Sequence, residues 1–457
     1  MTEKQGNLSI SPLTGRYSKK TIELWEFFSE MGLIRNRTRV EIEYLIKLRQ
    51  TLPELQGWET VQSDKELREI YKKMSHIEVE NIKRIECRIH HDVKSIEYYI
   101  KSKVDAKYKE FVHFALTSQD VNNPAISLSV KECLELAIYP KLLGIVGVLK
   151  QKKDAWQDVA MLSRTHGQPA SPTTMGKEFN VFLYRLENEI TILKSTRIYT
   201  KFGGAVGNFN AHHVAYPEVD WVSWSDEFIT EISSVRTSDV YDYEPIIRSK
   251  HTTQIDNYDS LSRVLDSIKR ICTILTDLCQ DVWLYVSFNY FKLKLESNQV
   301  GSSTMPHKVN PINFENAEGN FKLCASLAQF LSCEMPVSRL QRDLTDSTLS
   351  RNIGSVFGHF LIGLDSLSSG LNKLDINKKQ LSDDLDNNVI VIAEAIQTIL
   401  RKEGVDEPYE KLKELTQNKP EVTLEDIHAF VKGLKLEETI EEKILKITPH
   451  NYIGTPC

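Results

Sequence analysis

The stretch DSLSRVLDSIKRICTILTDLCQDVWLYVSFNYFKLKLE, residues 259–296, decides the fold class. Leu261, Val264, Ile268, Ile271, Leu275, Leu278, Val282 and Tyr285 recur there at alternating spacings of three and four. That is the apolar seam of a helix over more than three heptads, a periodicity no strand produces. At 1.5 Å per residue, a helix over 259–296 is roughly 55 Å long, too long to bury its stripe inside one small domain. It needs long partners, and the apolar patterns of 128–149 and 183–198 supply them. Neither Gly nor Pro interrupts 58–123 or 246–300, so long helices are expected there too. With 20 Gly and 15 Pro in 457 residues, there is too little turn chemistry for a chain of many short strands.

The expected architecture is therefore all-α, with a central bundle of long helices and three domains. Asn122-Asn123-Pro124 is expected to close the first helical region, giving an N-terminal helical domain over 1–124. The long-helix bundle follows over 125–372, and short amphipathic helices with pairs such as Glu410 and Lys413 fill 373–457. Bundles with extended apolar sides usually oligomerise, because one chain leaves too much apolar surface in water, so a homo-oligomer is expected.

Composition excludes several function classes. A net charge of −6 gives no basic field for binding along nucleic acid. No apolar run approaches the ~18 residues of a membrane span, and LLGIVGVL at 142–149 is bracketed by lysines, as in a buried helix. The first residues carry no apolar h-region, so no secretory signal is expected. Seven cysteines form no C-x-x-C pair and no zinc-type cluster, which points to a reduced, cytoplasmic setting without metal. Neither G-x-G-x-x-G nor G-x-x-x-x-G-K-[ST] occurs, so no cofactor is expected.

Three polar loops stand out between the apolar helices. The first is GSSTMPHKVNP at 301–311, where Gly and two prolines exclude a helix interior while hydroxyls, Lys308 and Asn310 suit an anion. The second is SRTHGQP at 163–169, centred on His166. The third is TSQDVNN at 117–123, preceded by His90, His91 and Asp92. On composition alone, solvated turns and a polar helix end are the favoured reading of these stretches.

A resemblance changes that weighting. G-S-S-x-M-P-x-K-x-N-P resembles the signature loop of the fumarase/aspartase superfamily, whose members eliminate fumarate from a substituted succinate. S-R-T-H-G-Q-P resembles the segment that carries its general acid, and T-S-x-D-x-N the segment that binds the succinyl carboxylates. PVSRLQRDLTDSTLSRN at 336–352, SPLTGRY at 11–17 and His307 in the signature loop resemble the adenylosuccinate lyase branch of the bacterial purine-pathway type. The likeness runs on through HDVKSIEYYI, GGAVGNFNAH, AYPEVDW, TTQI, PYEKLKELT and NYIG, nearly the whole chain. Two places depart from it: 233–251 is longer than the family stretch before TTQI, and His90 stands where Asn is expected.

The resemblance implies a non-hydrolytic elimination that releases fumarate from adenylosuccinate, leaving AMP, and from the succinyl-carboxamide ribotide. The proton removed lies next to a carboxylate, so a second negative charge builds there and preorganised donors supply the largest contribution. Lys308 and Asn310 are the implied donors, with Thr117, Ser118 and Ser303. His166 is the implied acid that protonates the leaving nitrogen, oriented by Glu315, and Ser302 the implied base. Arg342, Ser347 and Arg351 are implied phosphate ligands. Arg16, Tyr17, His90, His91, Asp92, Gln254, Asn316 and Thr348 are implied further substrate contacts. The family pattern also implies a homotetramer with sites shared between subunits. A sister lyase of the argininosuccinate or fumarase type, or a helical scaffold without activity, are the competing readings.

Overall fold

The computed structural model describes residues 8–234, 244–294, 305, 308–417 and 422–455. The chain is dominated by helices. Those that bear on the site are numbered in chain order: α1 (Glu30–Thr51), α2 (His76–Ile89), α3 (Asp92–Lys101), α4 (Ser118–Cys133), α5 (Tyr139–Ala155), α6 (Met175–Ser195), α7 (Asp259–Ser287), α8 (Ile312–Glu334), α9 (Thr345–Ser350) and α10 (Ile353–Lys373). Strands occur among the described residues only as three short pairs. β1 (Ala160–Thr165) and β2 (Gln168–Thr174) are antiparallel, β3 (Tyr199–Thr200) and β4 (Ile247–Arg248) parallel, and β5 (Phe291–Leu293) and β6 (Leu374–Ile376) antiparallel. The all-α expectation holds.

The chain divides into two compact units. One comprises Met1–Leu143, Asn188–Thr276 and Asn316–Ser366; the other Gly144–Glu187, Asp277–Glu315 and Leu367–Cys457. In the first unit α1 is buried along most of its length, and even Arg39 and Glu41 on it are about 1% exposed. Burying such groups is tolerated only with partners, and Arg39 Nη1 reaches Glu132 Oε1 on α4 at 2.5 Å. In the second unit the last helices close on their own core of Ile392, Ile396, Leu400, Leu412, Ile427, Val431 and Ile444. This is the run of short amphipathic helices read from the sequence.

The seam on α7 is buried from Leu261 through Val282, as its period requires. The helix nevertheless stops at Ser287, short of the expected 296. Asn289 adopts the left-handed conformation (φ 60°) and ends the turn, after which Phe291–Leu293 pairs with Leu374–Ile376. Pro124 is a second correction: it lies inside α4 rather than ending a helical region. The helix has already been started by a cap at Thr117, and burial of Val121, Ala125 and Leu128 offsets the single backbone bond that Pro removes. Between α4 and α5, Leu134–Ile138 form a π-helical turn, so 128–149 is helical throughout.

Candidate active site

In the first unit, α4 begins where the chain turns out of residues 112–117. Asp120, in the first turn, accepts the Thr117 N–H at 2.9 Å. The same carboxylate accepts Lys201 Nζ at 2.6 Å and the Gly203 and Gly204 N–H groups at 2.8 and 3.1 Å, with both charged side chains fully buried. This one group ties the segment bearing Thr117 and Ser118 to the glycine turn of GGAVGN. Burial pushes the Lys201 ammonium below its ordinary pKa against the pull of Asp120. Gly207 in that turn has φ +83°, and its Cα faces the Thr252 carbonyl so closely that a Cβ would sit 2.5 Å from the oxygen. Only glycine fits there.

His90 is the left-handed residue (φ 54°) that ends α2. Asn and His enter that region more readily than other side chains, which explains how His replaces the expected Asn. His91 is the N-cap of α3, its Nδ1 accepting the Lys94 N–H at 3.1 Å. Asp92 accepts Arg37 Nη2 at 2.8 Å and Arg351 Nη2 at 3.1 Å. Burial works to raise the Asp92 pKa, but Arg37, the Val93 N–H and Arg351 together outweigh it and hold the carboxyl below its usual value. Arg351 also donates to the Ser347 hydroxyl at 2.5 Å, and Arg342 Nη1 to Gln254 Oε1 at 3.1 Å. Thr348 is exposed on α9. Tyr17 Oη accepts Asn316 Nδ2 at 3.0 Å, with Arg16 exposed beside it.

Seven of the implied contacts thus meet through direct bonds: Asp92 with Arg351 and, through it, Ser347, Arg342 with Gln254, and Tyr17 with Asn316. Two guanidiniums share one carboxylate, leaving a net positive charge beside the Ser347 hydroxyl. That arrangement suits a dianionic phosphate. A cleft of about 160 Å³ adjoins it, with Arg37, Gln119, Tyr258, Asp346, Ser347 and Arg351 in its wall.

In the second unit, His166 and Gly167 form the two-residue turn of the β1–β2 hairpin, with φ 53° and 76°. Two positive φ values identify a type I′ turn, whose twist matches the flanking strands. The turn leaves the imidazole exposed at the hairpin tip. Asp384 pins the hairpin, accepting Arg164 Nη2 at 2.8 Å and the Tyr290 hydroxyl, while Arg164 lies over the Phe288 ring. Lys308 is exposed and Asn310 half-buried just before α8. Glu315, in the first turn of α8, accepts Trp283 Nε1 at 3.1 Å. No hydrogen bond joins Glu315 to His166 within the chain. Ser302, Ser303 and His307 lie outside the described residues, as do 235–243 of the long 233–251 stretch.

Sequence reading missed Arg37, Asp120, Lys201, Tyr258 and Asp346. Asp120 carried a signal, since T-x-x-D before an apolar run is a capping pattern. The others gave none, since each is a single polar residue whose partner lies far away in the sequence.

The long-helix scaffold is that of solved lyases. The chain matches the crystal structure of a fumarate lyase from Mesorhizobium sp. BNC1 with a TM-score of 0.75 over 95% of each chain at 16% identity. It matches the 3-carboxy-cis,cis-muconate lactonizing enzyme of Pseudomonas putida at 0.73, over 95% of this chain and 94% of that one, at 18% identity. The Lyase family model covers residues 15–324, and the adenylosuccinate lyase C-terminal model 338–453. Adenylosuccinate lyases of Dictyostelium discoideum and Escherichia coli K12 are 47% and 42% identical to it, each over 98% of this chain and 96% of the relative. The chain belongs to the adenylosuccinate lyase family.

Proposed function

We propose that this chain is a carbon–nitrogen lyase that eliminates fumarate from adenylosuccinate, giving AMP, and from the succinyl-carboxamide ribotide of purine biosynthesis. The observation that carries the reading is the convergence of Asp92, Arg351 and Ser347, and of Arg342 with Gln254, from stretches of sequence far apart. In this reading Ser347, Arg342 and Arg351 take the phosphate, with Arg16, Tyr17, His91, Thr348 and Gln254 around the nucleotide. Thr117, Ser118, Lys308 and Asn310 hold the succinyl carboxylates and stabilise the charge that develops on proton removal. Ser302 takes that proton, Ser303 binds beside it, and His166 protonates the departing nitrogen with Glu315 as its orienting carboxylate. His90, Asp92 and Asn316 support these contacts from alongside.

The elimination needs no metal or organic cofactor in this scheme, because each proton has a side-chain carrier. We further infer a homotetramer in which several subunits complete each site, acting in the cytoplasm. Oligomerisation is supported by large apolar side chains that remain exposed on long helices, among them Tyr184 on α6, Trp283 on α7, and Leu323 and Phe330 on α8. Among the described residues no helix is long and apolar enough to cross a membrane.

Purified protein offered adenylosuccinate, the succinyl-carboxamide ribotide, argininosuccinate or malate separates the readings. Fumarate release from the first two is expected. Release only from argininosuccinate or malate identifies a sister lyase, and release from none leaves a scaffold.

A further inference from the structure

Asp346 has no part in the chemistry above, yet it is a carboxylate only 5% exposed. Its Oδ2 accepts the Tyr258 hydroxyl at 3.0 Å and Gln119 Nε2 at 3.3 Å. The Tyr258 oxygen in turn accepts Asn123 Nδ2 at 2.8 Å. Gln119 follows Thr117 and Ser118 at the start of α4, and Asp346 immediately precedes Ser347 on α9, with Arg351 just past that helix's end. One buried knot therefore joins the segment that grips the succinyl end of the proposed substrate to the segment that grips its phosphate.

Stability alone does not account for this choice. A buried carboxylate costs several kcal/mol, and a well-packed apolar residue in its place is often neutral or better. Asp346 is also incompletely satisfied: its Oδ1 and Gln119 Oε1 have no partner among the described residues. Helix α9, only six residues long, has too few turns to hold itself in place. Its position is set by what it is tied to.

We propose that Asp346, acting with Tyr258, is a positioning residue that fixes α9 against the start of α4, so that both ends of one substrate are held in register. The inference rests on the lyase reading and deepens it. A substrate gripped at both ends reacts only if the grips are correctly spaced, and a displacement of ~1 Å can cost about 100-fold in rate. A ligand held at one end alone escapes that constraint.

The test uses the full chain carrying Asp346→Asn, Tyr258→Phe or both. Each single change is expected to lower kcat/KM for adenylosuccinate by about 10- to 100-fold, while the Kd of AMP alone, read by calorimetry, moves less than about 3-fold. The double variant should be no worse than the more impaired single one, because both cut the same tie. Near-normal turnover in the singles, losses that multiply in the double, or AMP affinity falling in step with kcat/KM would each overturn the proposal. Should Asp346→Asn fail to fold by melting and light scattering, Tyr258→Phe, which deletes one hydroxyl, decides by the same two readouts. An unmodified chain that releases no fumarate overturns the lyase reading instead, so the two failures are distinguishable.

Discussion

The Asp120–Lys201 pair allows a stability prediction with an internal order. Both side chains are fully buried, so removing either partner strands a charge, which typically costs about 3–5 kcal/mol. The two removals are unequal. Lys201→Met leaves the Asp120 carboxylate with the N–H groups of Thr117, Gly203 and Gly204, so its cost should fall near ~3 kcal/mol. Asp120→Asn leaves the Lys201 ammonium, among the described residues, with the Gly204 carbonyl as its hydrogen-bond acceptor and sets an amide N–H₂ among other donors, so ~5 kcal/mol is expected. Urea unfolding followed by tryptophan fluorescence, at one protein concentration for all variants, gives the comparison. Asp120→Asn should also lower kcat/KM, because the Thr117 N–H loses its anchor. The reasoning fails if Lys201→Met proves the more damaging change, or if both variants lie within about 1 kcal/mol of the parent.

Replacing His166 or Ser302 with Ala should lower kcat by at least ~100-fold, the usual scale for losing a general acid or base, and near-normal turnover would remove that residue from its role. His113 Nδ1 donates to the buried Glu41 carboxylate at 2.5 Å, with Glu97 and Asp120 also acting on it through their charge. Burial works to lower the His113 pKa, but these carboxylates raise it above its ordinary value of 6.5. A raised imidazole pKa stabilises fully below the unfolded value and is lost as pH climbs through the folded one. Melting temperature should therefore fall across that window, with a shallower slope in Glu41→Gln; an unchanged slope would dismiss the pair. Gly207→Ala must accept a left-handed backbone and a carbonyl 2.5 Å from its Cβ, so a loss of roughly 3 kcal/mol or more is expected, and a melting point equal to the parent's would refute it.

The helical scaffold was legible because its signal is local. The period of Leu261 through Val282 lies in consecutive turns of one helix, and short-range geometry alone decides which face those residues share. The stretch around His166 was likewise readable as a polar loop, though not as the tip of a hairpin. The end of α7 was not legible: Phe291–Leu293 becomes a strand only because Leu374–Ile376 is there to accept its hydrogen bonds. The fate of Pro124 escaped for a related reason, since local propensity argues for a break and burial of the surrounding α4 residues overrides it.

Sequence by itself thus determined the fold class and, through its motifs, the family. Tertiary structure alone decided what holds the site residues. Asp120 looks like an ordinary helix cap until Lys201, Gly203 and Gly204, some eighty residues away, each donate to it. Asp92 acquires its two guanidiniums from α1 and from beyond α9, and Asp346 acquires Tyr258 in the same manner. A charge buried in protein is tolerable only through partners, and those partners become neighbours through folding rather than through position in the chain.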